Sequence, residues 1–362
     1  MHTQSSFRLL VVRLGAMGDI LHALPAVTAL RRTHPYWHIG WVVDPRWQPL
    51  LTAATGTPEP SPVSPRTSAT PIVDRIHLAH VRNWKLRPFS TQTVREIKSL
   101  RNELRSTGYD AVIDLQGAIR SAVIAHFSGC RRRIGEAHPR EWPAHWLFTD
   151  RIATHGAHVI EQDIELAATI AADELAPVDP LLPVDVDAER WCDNWLAATF
   201  PGPSRPIALI VPGAGWGAKR WPPDRYAIVA RGLAGCGFHV LANSGPGEEA
   251  LAAPIVATGA ATPLSVSLPQ LIALTRRIAL CIGGDTGPLH LASALNRPVV
   301  GIYGPTDPSR NGPFGMCARV LRSPGSRRDH SRRSAPDPGL LTITPDQVLH
   351  AAEELLAGEK ME

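Results

Sequence analysis

Cysteine is scarce and scattered in this chain. Cys130, Cys192, Cys236, Cys281 and Cys317 are an odd number with no Cys-x-x-Cys pair. That excludes a disulfide framework and a zinc site of paired thiolates, and makes a reducing, cytoplasmic setting the expectation. Cys281 sits in an apolar run and reads as core. No run of about 18 apolar residues occurs, so no segment is expected to span a bilayer. No apolar h-region with a cleavage site precedes the first strand-like run, so no signal peptide is expected. A large charge of one sign is also missing: 37 Lys and Arg against 33 Asp and Glu leave a net +4. Global charge therefore gives no support to a nucleic-acid partner.

The missing motifs narrow the chemistry further. There is no Gly-x-Gly-x-x-Gly after a strand, which argues against a nicotinamide cofactor, and no Gly-Lys-Ser/Thr Walker loop. There is no Gly-x-Ser-x-Gly elbow. The many histidines, His22, His34, His126 and His155 among them, lack metal-ligand spacing, and no Asp-x-Asp ends a strand. No metal or other cofactor is expected.

What is present is a globular composition, 44% apolar and 19% charged, over 362 residues. That length is too great for one ordinary core and predicts two domains. Short apolar runs alternate with helical patterns twice over. Phe7–Arg13, His38–Val43, Ile72–His77 and Tyr109–Leu115 read as strands. Helices are expected over Ile20–Arg32, Thr93–Ser106, Arg120–Phe127 and His158–Leu175. The Pro-rich Ala176–Asp187 reads as a linker. The alternation then restarts with strands Pro206–Val211, His239–Asn243, Ala279–Ile282 and Val299–Tyr303. Helices are expected over Ala188–Thr199, Tyr226–Ala234, Gly247–Ala257 and Leu268–Thr275. The fold class is α/β with parallel sheets. Residues 52–70 read as a Pro/Thr/Ser-rich loop and 322–339 as a flexible Arg/Pro-rich arm. Thr344–Ala357 closes the chain as a helix, capped by Thr344 with Pro345 following.

Four turns carry candidate chemistry. Gly15-Ala16-Met17-Gly18-Asp19 follows the first strand. Its glycines permit a tight turn and close approach of a ligand, and Asp19 either projects toward a crevice or caps the next helix. Val211–Pro222 contains three glycines and Lys219, which suits phosphate oxygens, though a plain surface loop has the same composition. Asn243–Glu249 offers Glu248 or Glu249 to ribose hydroxyls, or simply complements a helix dipole. Asp285-Thr286-Gly287-Pro288-Leu289-His290 lies between a buried strand and a helix start. Free N–H groups there attract anions. Asp285 beside a diphosphate would repel it, so it reads as a sugar-hydroxyl ligand or a cap. Charge is uneven too: residues 61–155 hold 15 Lys and Arg against 8 Asp and Glu. That excess fits either an acidic partner or a solvated face.

With these segments in order, Arg13–Pro25, Asp110–Ser121, Pro212–Pro222 and Cys281–Pro308, the chain resembles the heptosyltransferases of glycosyltransferase family 9. The Gly284-Asp285-Thr286-Gly287 turn, His290 and Tyr303–Pro308 are its most specific part. The resemblance implies a GT-B fold, two Rossmann-like domains with parallel sheets facing across a cleft. It places an acceptor domain at residues 1–180 and an ADP-sugar domain at 181–343, with the 344–362 helix crossing back to the first. It implies Asp19 as general base and Gly15, Gly18, Arg82 and Arg120 on the acceptor. Arg120 belongs to a basic face with Lys85, Arg87 and Arg131–Arg133. On the donor it implies Lys219, Glu248 or Glu249, Asp285, Thr286, Gly287 and His290, with Val266, Ser267 and Leu268 near adenine. The implied partners are ADP-L-glycero-β-D-manno-heptose, Kdo-lipid A and the inner-leaflet surface of the inner membrane, where a peripheral enzyme would act. The Gly15–Pro25 run looks nearest to heptosyltransferase I. Heptosyltransferase II, a protein O-heptosyltransferase and a nucleotide-sugar-binding protein without turnover stay open. The pattern departs from the family at 322–339, where many members carry cysteine pairs.

Overall fold

The first apolar run folds as β1 (Arg8–Val12), with its last four residues buried. Strands this short and this uniformly apolar are stable only when helices cover both faces of a parallel sheet. The computed structural model describes residues 7–53, 67–329 and 331–358. It divides into two units between Asp185 and Val186. In the first, β1 is followed by α1 (Met17–Thr33), β2 (His38–Val43), β3 (Arg75–Leu78), α2 (Val81–Leu86) and α3 (Thr91–Thr107). Then come β4 (Ala111–Asp114), α4 (Ile119–Phe127), β5 (Arg132–Glu136), β6 (Asp150–Ile152) and α5 (Val159–Ala171). The six strands are parallel in the order β3-β2-β1-β4-β5-β6. Leu10, Val12, Val112 and Ile124 meet Leu100 and Leu104 of α3 in one core.

The second unit runs α6 (Val186–Thr199), β7 (Ile207–Val211), α7 (Pro223–Gly235), β8 (His239–Asn243), α8 (Glu249–Val256) and β9 (Ala261–Leu264). It continues with α9 (Leu268–Thr275), β10 (Leu280–Gly284), α10 (Gly287–Ala294), β11 (Val299–Tyr303), α11 (Pro308–Asn311), β12 (Ala318–Arg322) and α12 (Pro345–Gly358). Its parallel sheet has the order β12-β11-β10-β7-β8-β9. The core holds Trp221 and Tyr226 together with Val348, Ala351, Ala352 and Leu355 of α12. Trp221 Nε1 donates to the Ile343 carbonyl at 3.1 Å, tying the start of α12 to the segment before α7. The closing helix expected to cross back thus has its apolar face in the core of the second unit.

Each sheet steps outward one way for three strands and then the other way for three. The reversal lies between β1 and β4 in the first and between β7 and β10 in the second. Ligands of such sheets bind outside the carboxyl ends of the strands at that reversal. The chain after β1, β4, β7 and β10 is where the motifs holding Asp19, Arg120, Lys219 and Asp285 stand.

Three sequence expectations change. Helix α1 begins at Met17, not Ile20, so Gly18 and Asp19 lie inside its first turn. Strands β6 (Asp-Arg-Ile) and β9 (Ala-Thr-Pro-Leu) were not expected. Both are edge strands whose composition carries no apolar signal. Of the loop expected at 52–70, residues 54–66 lie outside the described residues. The third change is the largest: of the stretch expected as an arm, residues 322–329 and 331–339 form a strap, and residue 330 lies outside the described residues. The Asp329 N–H donates to the Pro305 carbonyl (3.0 Å), the Ala218 N–H to Arg333 (3.0 Å), and the Asp337 N–H to Ala218 (3.1 Å). Buried Asp337 accepts from Ser326 Oγ and the Gly339 N–H. Its arginines gave the stretch a solvated composition, but its order comes from backbone hydrogen bonds that composition does not report.

The strap approaches so closely that a Cβ built on Gly217 falls 1.7 Å from the Ser334 carbonyl oxygen. A Gly217→Ala chain is expected to lose about 1–3 kcal/mol of stability, the usual range for overpacking. Gly215→Ala, where a Cβ meets nothing within 4 Å, should stay near the parent chain. Urea unfolding of the two variants compares them directly; equal midpoints would remove the tight strap contact.

Candidate functional site

At the carboxyl end of β1 the chain needs a glycine twice over. Gly15 has φ +143°, and a Cβ there would lie 2.6 Å from Trp47 Nε1. The turn delivers Asp19 as the third residue of α1. Its Oδ2 accepts the Ala16 N–H at 2.8 Å, and its Oδ1 lies 3.5 Å from an Arg13 guanidinium nitrogen. Arg13 Nε also donates to the Asp19 carbonyl at 3.1 Å. The carboxylate therefore reaches back from inside the first turn to the N–H of the N-cap residue Ala16, instead of capping a helix that begins after it. It also keeps 31% of its side-chain surface exposed, so a hydroxyl can reach it.

Two basic candidates share this edge. Arg120 is exposed in the first turn of α4, after β4, and Arg82 is exposed on α2, after β3. Lys85 and Arg87 are exposed beside Arg82. Arg132 and Arg133 do not join them. They open β5 and so lie at the amino end of the sheet. Arg132 binds Asp150 (3.0 Å) and the Thr169 carbonyl (3.2 Å), while Arg133 binds the Leu147 carbonyl (2.8 Å). A basic run before a parallel strand faces away from the ligand edge, which corrects its assignment to the acceptor surface.

Beneath Asp19 lie buried charges that the motif did not reveal. Asp114 Oδ1 accepts from Gln116 N–H (2.8 Å), Gly117 N–H (2.9 Å) and Ser121 Oγ (3.1 Å), fixing the β4–α4 turn. Burial pushes its carboxyl up to about 6 against those hydrogen bonds. Burial pushes Asp163 of α5 up to about 7. The Arg13 cation opposes that rise, and the Asp19 and Asp114 charges add to it. Gln116 Oε1 accepts the Leu14 N–H at 2.9 Å and so joins the turns after β1 and β4.

In the second unit the donor candidates follow four neighbouring strands, in the order β10-β7-β8-β9. Lys219 ends a helical turn in the loop after β7, and its ammonium pairs with Asp285 at the end of β10. His290 Nε2 lies 3.1 Å from the other Asp285 oxygen. Burial opposes ionisation of Asp285, but the His290 hydrogen bond and the Lys219 charge outweigh it. They hold the carboxyl far below the usual range. Asp285 makes no cap: Thr286 occupies the N-cap position of α10 without a side-chain cap bond, and Gly287 and Pro288 open the helix. After β8 the two acids separate. Glu248 packs on the glycine loop, its Oε2 2.2 Å from where a Gly213 Cβ would stand, while Glu249 is exposed and accepts the Gly247 N–H at 3.2 Å. Val266 and Ser267 lie between β9 and α9, with Ser267 at the N-cap position, and Leu268 opens α9. Ser267 N–H donates to Gln270 Oε1 at 3.0 Å. Among the described residues no group of three or more His, Cys, Asp or Glu is placed to hold a metal ion.

Trp216 was passed over in the sequence. Its ring lies under the Lys219 ammonium, 4.0 Å from Nζ to the ring centroid. The sequence motifs give Arg13 and Asp163 no role of their own. Arg13 borders the glycine motif and was readable; Asp163 sits in an ordinary helical pattern and was not.

Comparison with known proteins gives the family and the fold. The profile of Glycosyltransferase family 9 (heptosyltransferase) matches residues 97–337. Lipopolysaccharide heptosyltransferase 1 of Escherichia coli O18:K1:H7 (strain RS218 / NMEC) is 28% identical over 330 residues, 88% of this chain and 92% of that protein. Lipopolysaccharide heptosyltransferase 2 of Escherichia coli (strain K12) is 28% identical over 372 residues, 98% and 99% of the two chains. The E. coli heptosyltransferase WaaC with ADP-2-deoxy-2-fluoro heptose superposes with a TM-score of 0.74 at 25% identity, covering 96% of this chain and 99% of that one. The two successive parallel α/β units are those of a GT-B glycosyltransferase, and the chain belongs to glycosyltransferase family 9, the heptosyltransferases.

Proposed function

We propose that this enzyme moves L-glycero-D-manno-heptose from ADP-heptose to Kdo-lipid A, with inversion, in the making of the lipopolysaccharide inner core. The observation that carries the donor half is the gathering of Lys219, Glu248, residues 266–268 and Asp285–His290 at the ends of four adjacent strands. The solved relative with an ADP-heptose analogue supports the same donor. Identity does not separate the subtypes, being 28% to both heptosyltransferase 1 and heptosyltransferase 2. The type I reading rests on the Gly15–Pro25 run.

In this reading the acceptor hydroxyl loses its proton to the Asp19 carboxylate as its oxygen attacks the anomeric carbon. The bond to the ADP oxygen breaks in the same oxocarbenium-like step, and one base with no covalent intermediate gives inversion. Arg13 and the Ala16 N–H hold the carboxylate in place. The departing diphosphate meets Lys219 and the N–H groups at the start of α10. Asp285 is better read as the group that aims Lys219 and His290 than as a free sugar ligand, because both of its oxygens are engaged.

The α2–α3 turn supports a membrane surface as the working place. Leu86 and Phe89 are 71% and 95% exposed. Residues 81–95 contain Arg82, Lys85, Arg87 and Arg95 and no acid. The turn is held from within by Trp84 Nε1 on Glu96 (2.7 Å) and Thr93 Oγ1 on the Arg87 carbonyl (2.8 Å). No helix among the described residues is long and apolar enough to cross a membrane.

Purified enzyme with ADP-heptose and Kdo2-lipid A is expected to release ADP. Release only with an acceptor that already carries heptose would move the assignment to another member of the family, and no release with either would leave a binding protein. Asp19→Asn should lower kcat by about 10²–10⁴-fold, the span of a lost general base, with ADP-heptose affinity unchanged. Full turnover would take the base role from Asp19. Finally, the parent chain should cosediment with anionic vesicles at low salt, each surface cation contributing about 1 kcal/mol, and Leu86→Ser/Phe89→Ser should reduce this several-fold. Equal sedimentation of the two would discard the turn as the contact.

A further inference from the structure

The Lys219–Asp285 pair leaves the donor site short of positive charge. An ADP-sugar brings two phosphate charges, and the ADP that departs brings more. Yet the Lys219 ammonium is already matched by a carboxylate whose ionised form is strongly favoured. Arg220, next in the loop, turns its guanidinium back to the Ala214 carbonyl (3.3 Å from one terminal nitrogen). A second cation has to come from elsewhere.

The strap supplies one. Ala218, directly before Lys219, uses both of its backbone groups on the strap: its N–H donates to the Arg333 carbonyl and its carbonyl accepts from Asp337. Arg332 is therefore fixed one residue from a hydrogen bond to the lysine loop. Its guanidinium lies 5.9 Å from the centroid of Trp216, the ring that also carries the Lys219 ammonium. Of the strap's other arginines, three have polar partners, and among the described residues Arg327 has no contact with the lysine loop. Arg322 binds the Gly304 and Ser326 carbonyls, Arg328 pairs with Asp307, and Arg333 pairs with Asp329. For Arg332, exposed in the strap, the contact is the Trp216 face. An aromatic face holds a cation near a site without neutralising it. A guanidinium so held presents paired N–H donors that match phosphate oxygens.

We propose that Arg332 is a ligand of the donor's diphosphate, a second cation beside Lys219 that the strap carries into the site. The inference rests on the reading that ADP-heptose binds the second unit, and it assigns a role to the stretch where the sequence departs from its family. The ligand chemistry is a nucleoside diphosphate, not the adenosine or the sugar.

Calorimetry with ADP, AMP and adenosine on the parent chain, Arg332→Ala, Arg332→Lys and Arg328→Ala tests it. Arg332→Ala should weaken ADP roughly tenfold or more, as loss of a charge-assisted hydrogen bond does. AMP should weaken less, adenosine not at all, and Arg332→Lys should recover part of the loss. Arg328→Ala removes a strap charge of the same sign and should leave ADP binding within twofold. Thermal melts of all variants report whether the strap is still folded. Parent-like ADP binding by Arg332→Ala would overturn the proposal. So would an equal loss with Arg328→Ala, which would mean diffuse charge, or an equal loss for adenosine, which would mean a disturbed fold. A parent chain that binds no ADP would instead overturn the donor-site reading itself.

Discussion

The constraint from which the rest follows is that the central strands of both sheets are buried on both faces. Leu9–Val12 in β1 and Ile207–Val211 in β7 are each wholly buried. Buried backbone N–H and C=O groups must pair, and parallel pairing with helices on both sides satisfies them while leaving no room for polar side chains along the strand. Polar chemistry is thereby displaced past the strand ends. Asp19, Arg120, Lys219 and Asp285 all stand in the segments that follow the carboxyl ends of β1, β4, β7 and β10, beside the point where the sheet order reverses. Two units of the same strand order give two such edges, one with a carboxylate and cations, the other with a lysine, a histidine and a helix start.

How much of this was legible depended on whether the signal was apolar or local. Strand β2 and helix α9 fall on the residues the apolar pattern marks, because a run of buried side chains writes itself into the sequence. The glycine motifs were legible for a similar reason: Gly15 has a conformation and a neighbour that exclude side chains. What composition misreported was anything held by backbone hydrogen bonds or by long-range charge. The strap is the clearest case. Its Arg and Pro content reads as solvated arm, but Ala218, Pro305 and Asp337 hold it by main-chain groups that any residue carries. Arg132 and Arg133 failed in the opposite way. As cations they suggest a surface, but their place before a strand sends them to the far edge, onto Asp150 and three carbonyls.

The partnership of Asp285 could not be read either, since Lys219 is 66 residues away. A lone carboxylate beside a diphosphate is a liability, which made a cap or a sugar ligand the sensible expectation from sequence. With the lysine on one oxygen and a histidine on the other, the same carboxylate becomes a fixture that orients the cation. Such a pair gains little stability overall, because desolvation of both ions offsets most of the attraction. Its retention is better explained by position than by stability.

The same balance operates in the first unit with the signs reversed. Arg13 is a buried cation whose field reaches Asp114 and Asp163 while its guanidinium touches Asp19. If all three acids were ionised, one arginine would face three negative charges in a poorly solvated place. Burial resolves this by raising Asp163 and Asp114, the two least exposed, to about 7 and about 6. The more exposed Asp19 is the one of the three that a sugar hydroxyl can reach, with the arginine against it. A carboxylate hydrogen-bonded to a helix start and open to solvent is what proton removal from a sugar hydroxyl requires.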